Sequence, residues 1–132
     1  MECSVLFTDE FEQWWNGLSV EEQESVTHSV DLLARFGIDL KFPYSSGISN
    51  SQYPHMRELR IQHQGRPYRV LYAFDPRRNA ILLIGGDKTG NNRWYEEYVP
   101  VADARGLNLW LETSKNCKLK WTPLAARTTR DE

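Results

Sequence analysis

An α+β fold is predicted for this chain of 132 residues: an N-terminal strand and a helix hairpin packed on an antiparallel β-meander, with a C-terminal helix. Three observations predict it. Apolar residues recur at helical spacing before residue 37, they follow strand spacing between residues 56 and 84, and helical spacing returns after residue 94. Elements segregated in this order favour strands joined by tight turns over strands joined by crossing helices. With 40% hydrophobic content and five tryptophans, the chain can build one core and is short for two domains. A single domain over residues 1–112 is expected, followed by a polar tail over residues 113–132.

Residues 4–7 form a short apolar, β-compatible run and read as the first strand. Asp9, with Glu12 three residues on, has the pattern of a capping box. Phe11, Trp14, Trp15 and Leu18 then share one helical stripe, and the helix should end near Gly17 and Leu18. Ser19 and Glu22 repeat the capping pattern. Val26, Val30, Leu33 and Phe36 mark the inner side of a longer helix that Gly37 can end, while Glu21, Glu22, Glu24 and Asp31 take the outer side. So short a connection implies an antiparallel helix hairpin with an aromatic stripe in the core.

Residues 38–54 carry two prolines, a glycine and several serines, which predicts a loop. Its length suggests that it lies over a functional surface. Ser45, Ser46, Ser49 and Ser51 are turn residues or phosphate ligands. Residues 56–62 alternate, with Leu59 and Ile61 on one face and Glu58, Arg60 and Gln62 on the other. Gln64 and Gly65 make a turn, residues 68–74 form a second strand, residues 75–79 turn again, and residues 80–84 form a third strand covered on both faces. The glycine-rich residues 85–92 lack phosphate-loop spacing. Asn91 or Asn92 can cap a helix with Tyr95, Tyr98, Val99 and Ala102 inside, which Pro100 should kink or restart and Gly106 should weaken. Beyond it, Leu119, Trp121 and Leu124 are available to dock.

Composition excludes several classes. The longest apolar run, residues 80–86, is far short of a membrane span, and the acidic start is unlike a secretory leader, so a cytoplasmic protein is expected. Cys3 and Cys117 lack zinc spacing and read as free thiols. His28, His55 and His63 show no metal spacing either, so neither metal nor cofactor is expected.

Net charge is −2, but it is segregated. Residues 1–54 set two cations against nine carboxylates for −7, residues 55–95 set eight cations against three carboxylates for +5, and residues 96–132 balance. The predicted sheet is thus the cationic part, suited to an anionic ligand or to a solvated arginine face.

Arg60 and Arg69 face each other across the first hairpin in this reading. Like charges so placed cost up to about 1 kcal/mol unless an anion bridges them. Guanidinium forks suit phosphate oxygens, and Lys88 can join the same surface. Arg57, Arg66 and Arg93 are further candidates for RNA binding. The alternative is that Arg60 pairs with Glu58 or Asp75 and Arg69 lays its stem on the sheet. Tyr72 and Tyr95 are structural or stack on a base. His55 and His63 are candidate bases or incidental. No nucleophile constellation is present, so an enzyme here would act with cations on a phosphate whose own 2′-hydroxyl attacks, which points to RNA.

ELR at residues 58–60, YRVLY at 68–72 and GGDK at 85–88, in this order of elements, resemble the RelE superfamily of bacterial toxins, in particular its phage-derived, HigB-like branch. The similarity covers residues 4–104. The resemblance implies a type II toxin: a ribosome-dependent mRNA endonuclease that inhibits translation, cleaves by metal-independent 2′-hydroxyl attack, and is held in a hetero-oligomer by a helix-turn-helix antitoxin. It places Arg60, Arg69 and Lys88 on basic catalytic positions and Tyr95 on an aromatic one. Glu58 stands where some members carry a base, and residues 106–132 depart from the usual ending. A non-catalytic RNA- or antitoxin-binding homologue is the alternative.

Overall fold

The chain folds around a six-stranded sheet in a computed structural model that describes residues 2–49, 51, 56–112 and 119–121. Its centre is the expected meander: β3 (Arg57–His63), β4 (Arg66–Phe74) and β5 (Ala80–Asp87), each antiparallel to the next. Gln64 and Gly65 both take positive φ, 50° and 78°, as a two-residue hairpin turn requires. The next turn is closed by Asp75, whose carboxylate accepts the N–H groups of Arg77 and Asn79. β1 (Val5–Phe7) lies parallel to β5, and β6 (Leu119–Lys120) pairs antiparallel with β1. β2 (Ser45–Gly47) forms the opposite edge beside β3.

That edge strand corrects the expectation of an irregular loop over residues 38–54, as does the 3₁₀ turn Gly37–Asp39. Ser-Ser-Gly has little strand propensity. It is extended because β3 offers an open row of backbone groups, and Ser45 falls opposite Leu59. His55 lies outside the described residues.

Two helices cover one face of the sheet. α1 (Asp9–Asn16) rests on β5 and α2 (Val20–Phe36) on β3, so the hairpin packs chiefly through the sheet. Thr8, rather than Asp9, caps α1. Its extended backbone lets Oγ1 accept the Phe11 N–H while donating to the Leu83 carbonyl at 2.8 Å, which ties the helix start to β5. Asp9, at the first helical position, contributes charge to the dipole instead. The Ser19–Glu22 capping box forms as read, and Gly37 ends α2 at φ 56°. Phe11, Val26, Val30 and Leu33 pack against Leu59, Val70, Tyr72 and Leu82. Phe36, expected inside, is exposed on the last turn of α2.

α3 (Trp94–Glu112) covers the other face, with Trp94, Val99 and Ala102 against Met56, Leu71, Ile81 and Leu83. The helix continues through Pro100. That residue is exposed, so the carbonyl it leaves unpaired falls on the solvent side, where water can bond it. Past residue 112, Trp121 is buried against Trp15, with ring centroids 5.0 Å apart. Leu124 and Cys117 lie outside the described residues. Among the described residues, no helix is long and apolar enough to cross a membrane.

Gly85 and Gly86 fit the sheet between two indole rings. A Cβ on Gly85 would stand 2.3 Å from the Trp14 ring, and one on Gly86 would stand 2.6 Å from Trp94 Nε1 on the other face. A bulge opposite Leu71 and Tyr72 sets this alternation. Gly86→Ala should therefore overpack the seat of α3, costing about 1–3 kcal/mol and lowering the melting temperature by about 4–12 °C in a calorimetric comparison. An unchanged melting temperature would contradict the close seat.

Candidate active site

On the face of the sheet that carries α3, strand alternation brings Glu58 and Arg60 of β3 beside Arg69 of β4, with Arg60 and Arg69 directly in register. Lys88 follows β5, and Tyr95 sits in the first turn of α3, which Trp94 anchors over Gly86. Arg60, Arg69 and Tyr95 thus meet on a carboxylate, and Lys88 joins them beside Tyr95. Glu58 is only 5% exposed. Its Oε2 accepts from Ser46 Oγ at 2.5 Å and from Arg60 Nη1 at 3.2 Å. Its Oε1 accepts a hydrogen bond from the Tyr95 hydroxyl and lies 3.4 Å from Arg69 Nε.

Glu58 resolves the repulsion that the register of two arginines creates. A carboxylate buried this deeply is tolerable only with such partners. Arg69 is itself 4% exposed, and its Nη1 donates to the Tyr68 carbonyl at 2.9 Å. Its Nε faces Glu58 as an ion pair too poorly aligned for a hydrogen bond. Arg60 is more open, with 31% of its side chain accessible.

Lys88 Nζ lies 3.4 Å from the Tyr95 hydroxyl and 5.0 Å from the centre of that ring. Burial, then the Arg69 charge, lowers the Lys88 pKa from its ordinary value, opposed by Glu58. Burial, then the hydrogen bond to Glu58, raises that of Tyr95. Tyr95 therefore stays protonated at neutral pH and acts as a donor. The arrangement offers a carboxylate that can take a proton, an ammonium that releases one more easily than a free lysine, and an accessible guanidinium for an anion.

The other expected cations lie elsewhere. Arg57 shares the opposite face with Leu59 and Ile61, since strand side chains alternate, and its Nε donates to Ser45 Oγ at 2.9 Å. Arg66 stands at the end of the hairpin, 3.3 Å from Asp87 and 3.6 Å from Glu22. Arg93 is exposed over 77% of its side chain and pairs with Glu96. His63 is buried on the opposite face with Nδ1 2.8 Å from Ser25 Oγ. Tyr72 is buried there too, its hydroxyl 2.6 Å from Ser45 Oγ.

The central place of Glu58 was not legible, and Ser46, read as a turn residue or phosphate ligand, instead donates to Glu58. The clue available was that Glu58 sits two residues from Arg60, on the same strand face.

Residues 13–106 match the family described as phage-derived protein, Gp49-like. The chain is also similar to two proteins of Mycobacterium tuberculosis strain H37Rv that are named as candidate toxins. It is 42% identical to HigB3 over 109 residues, covering 82% of this chain and 93% of that protein. It is 40% identical to HigB2 over 92 residues, covering 68% of this chain and 46% of that protein.

Proposed function

We infer, for a chain that belongs to the phage-derived Gp49-like family and is HigB-like, that it is the toxin of a toxin–antitoxin pair and acts as an endoribonuclease on ribosome-bound mRNA. The observation that carries this reading is the convergence of Arg60 and Arg69 on one buried carboxylate, Glu58, with Lys88 joined to them through the Tyr95 hydroxyl that also bonds Glu58. A structural ion pair needs one cation. Three cations of differing exposure leave positive charge for a second anion, and a phosphate diester fits it.

In the proposed reaction Arg60 holds the non-bridging oxygens of the scissile phosphate. Glu58 takes the proton of the 2′-hydroxyl as that oxygen bonds to phosphorus. The bond from phosphorus to the 5′-oxygen breaks, Lys88 protonates the leaving oxygen, and a 2′,3′-cyclic phosphate and a 5′-hydroxyl result. Arg69, buried beneath, positions Glu58 and adds charge, and Tyr95 steers Glu58 by donating to it. A helix-turn-helix antitoxin as partner and a cytoplasmic place of action belong to the same proposal.

Induced expression followed by mapping of mRNA 5′ ends tests the reading. New ends inside translated frames are expected, and absent for Arg60→Ala, whose more open side chain the fold can spare. Unaltered growth and mRNA would refute it and favour the non-catalytic homologue.

The lysine's role has its own signature. A general acid works in its protonated form, so the rate should fall as pH rises through the Lys88 pKa, which lies below the ordinary lysine value. Lys88→Arg cannot deprotonate in this range, so single-turnover cleavage by that variant should be slower at neutral pH but lose the alkaline decline. A decline identical in both would remove Lys88 from the acid's role.

A further inference from the structure

We propose that the ring of Phe42 is a stacking platform for an RNA base beside the scissile phosphate. The proposal rests on the ribonuclease reading and extends its site along the edge of the sheet. Phe42 is 70% exposed, unlike Phe11 or Trp94, which the core accounts for. It is nevertheless held in place. The Arg60 guanidinium carbon lies 5.1 Å from the ring centre, so one side of the ring carries the cation assigned to phosphate.

The backbone fixes the same relation. The Tyr44 and Ser45 N–H groups both donate to the Lys41 carbonyl, at 3.0 and 3.2 Å, forming a tight turn around Phe42. The Tyr44 carbonyl accepts the Arg60 N–H at 2.9 Å, and Ser46 reaches Glu58. The turn that presents Phe42 is thus bonded to the two β3 residues nearest the chemistry.

Every base has a π-face, so an exposed aromatic ring beside a phosphate-binding cation is a sequence-tolerant grip on a single strand. Arginine can keep its plane against a ring while its edge binds phosphate oxygens. Phe36, Ile38 and Tyr44 are also exposed, which would suit an apolar protein partner. Phe42, however, touches Arg60, and this favours RNA.

The test uses the full chain and a labelled single-stranded RNA of about twelve nucleotides, fully 2′-O-methylated so that it cannot supply the nucleophile, with binding read by anisotropy. Phe42→Ala should weaken binding about tenfold and Phe42→Leu about as much, while Phe42→Trp stays within about twofold. Thermal melts of the variants should match the parent, since the ring is exposed. An abasic version of the RNA should lose the same factor with the parent chain and no more with Phe42→Ala, whereas a ring that only orients Arg60 would cost both RNAs equally.

Equal affinities of parent and Phe42→Ala, equal losses on both RNAs, or no measurable binding by the parent would overturn the platform. So would unchanged RNA binding with loss of a co-purified antitoxin, which would assign the ring to a protein partner. Failure of the ribonuclease reading looks different: base-dependent binding through Phe42 persists while mapped mRNA ends do not change.

Discussion

Glu58→Gln is expected to slow cleavage by about 10²–10⁴-fold while leaving RNA binding as tight as in the parent or tighter. The amide keeps the shape of the carboxylate and can still accept from Tyr95 or Ser46, but it leaves the buried Arg69 without its counter-charge, so the melting temperature should fall and the assays are run well below it. What it loses is the basicity that takes the 2′-hydroxyl proton. It also loses the negative charge that now neutralises Arg60 and Arg69, leaving them freer for phosphate oxygens. A merely structural glutamate would weaken binding, rate and stability together. Single-turnover rates and equilibrium binding to non-cleavable RNA separate the two, and a parent-like rate in Glu58→Gln would remove Glu58 from the proposed base role.

Arg69→Ala should act first on the fold. Its guanidinium is almost wholly buried and faces an equally buried carboxylate. Removing one partner of such a pair costs up to about 3–5 kcal/mol, reduced here to the extent that Arg60 still bonds Glu58. Against a typical total of about 5–15 kcal/mol this is a large loss, visible in urea or thermal unfolding. Replacing both partners, as in Glu58→Met with Arg69→Met, should recover most of that stability while cleavage stays abolished. If the double variant were as unstable as Arg69→Ala, the pair would not be the source of the cost. If it cleaved RNA, the cluster would not be the site.

The meander was legible because its signals are local. Leu59 and Ile61 alternate with Glu58 and Arg60, and Gln64-Gly65 is a turn pair whose positive φ values the structure contains. The same holds for the Ser19–Glu22 box. The edge strand Ser45–Gly47 was not legible, since the backbone of β3, and no property of Ser-Ser-Gly, makes it extended. Thr8 was missed as a cap because its hydroxyl is used twice, and one of its partners, Leu83, is 75 residues away.

For the candidate site, pairing and period 2 were enough to bring Arg60 against Arg69. The same period, applied to Arg57, places it on the other face with Leu59, which a count of cations along the sheet ignored. Glu58 as the hub depended on Tyr95 arriving from a helix 37 residues away and on Ser46 arriving from the edge strand. Neither contact has a local signal. Burial also divided the two arginines, leaving Arg60 accessible and Arg69 beneath the cluster.

The most direct measurement is the chemistry of the RNA ends. Purified chain, ribosomes and a defined mRNA should yield fragments ending in 2′,3′-cyclic phosphate and 5′-hydroxyl, and a single 2′-deoxy substitution at a mapped cut should abolish cleavage there. Cleavage that persists at the 2′-deoxy position, or fragments bearing 5′-phosphate, would contradict attack by the substrate's own hydroxyl at the Glu58–Arg60 site.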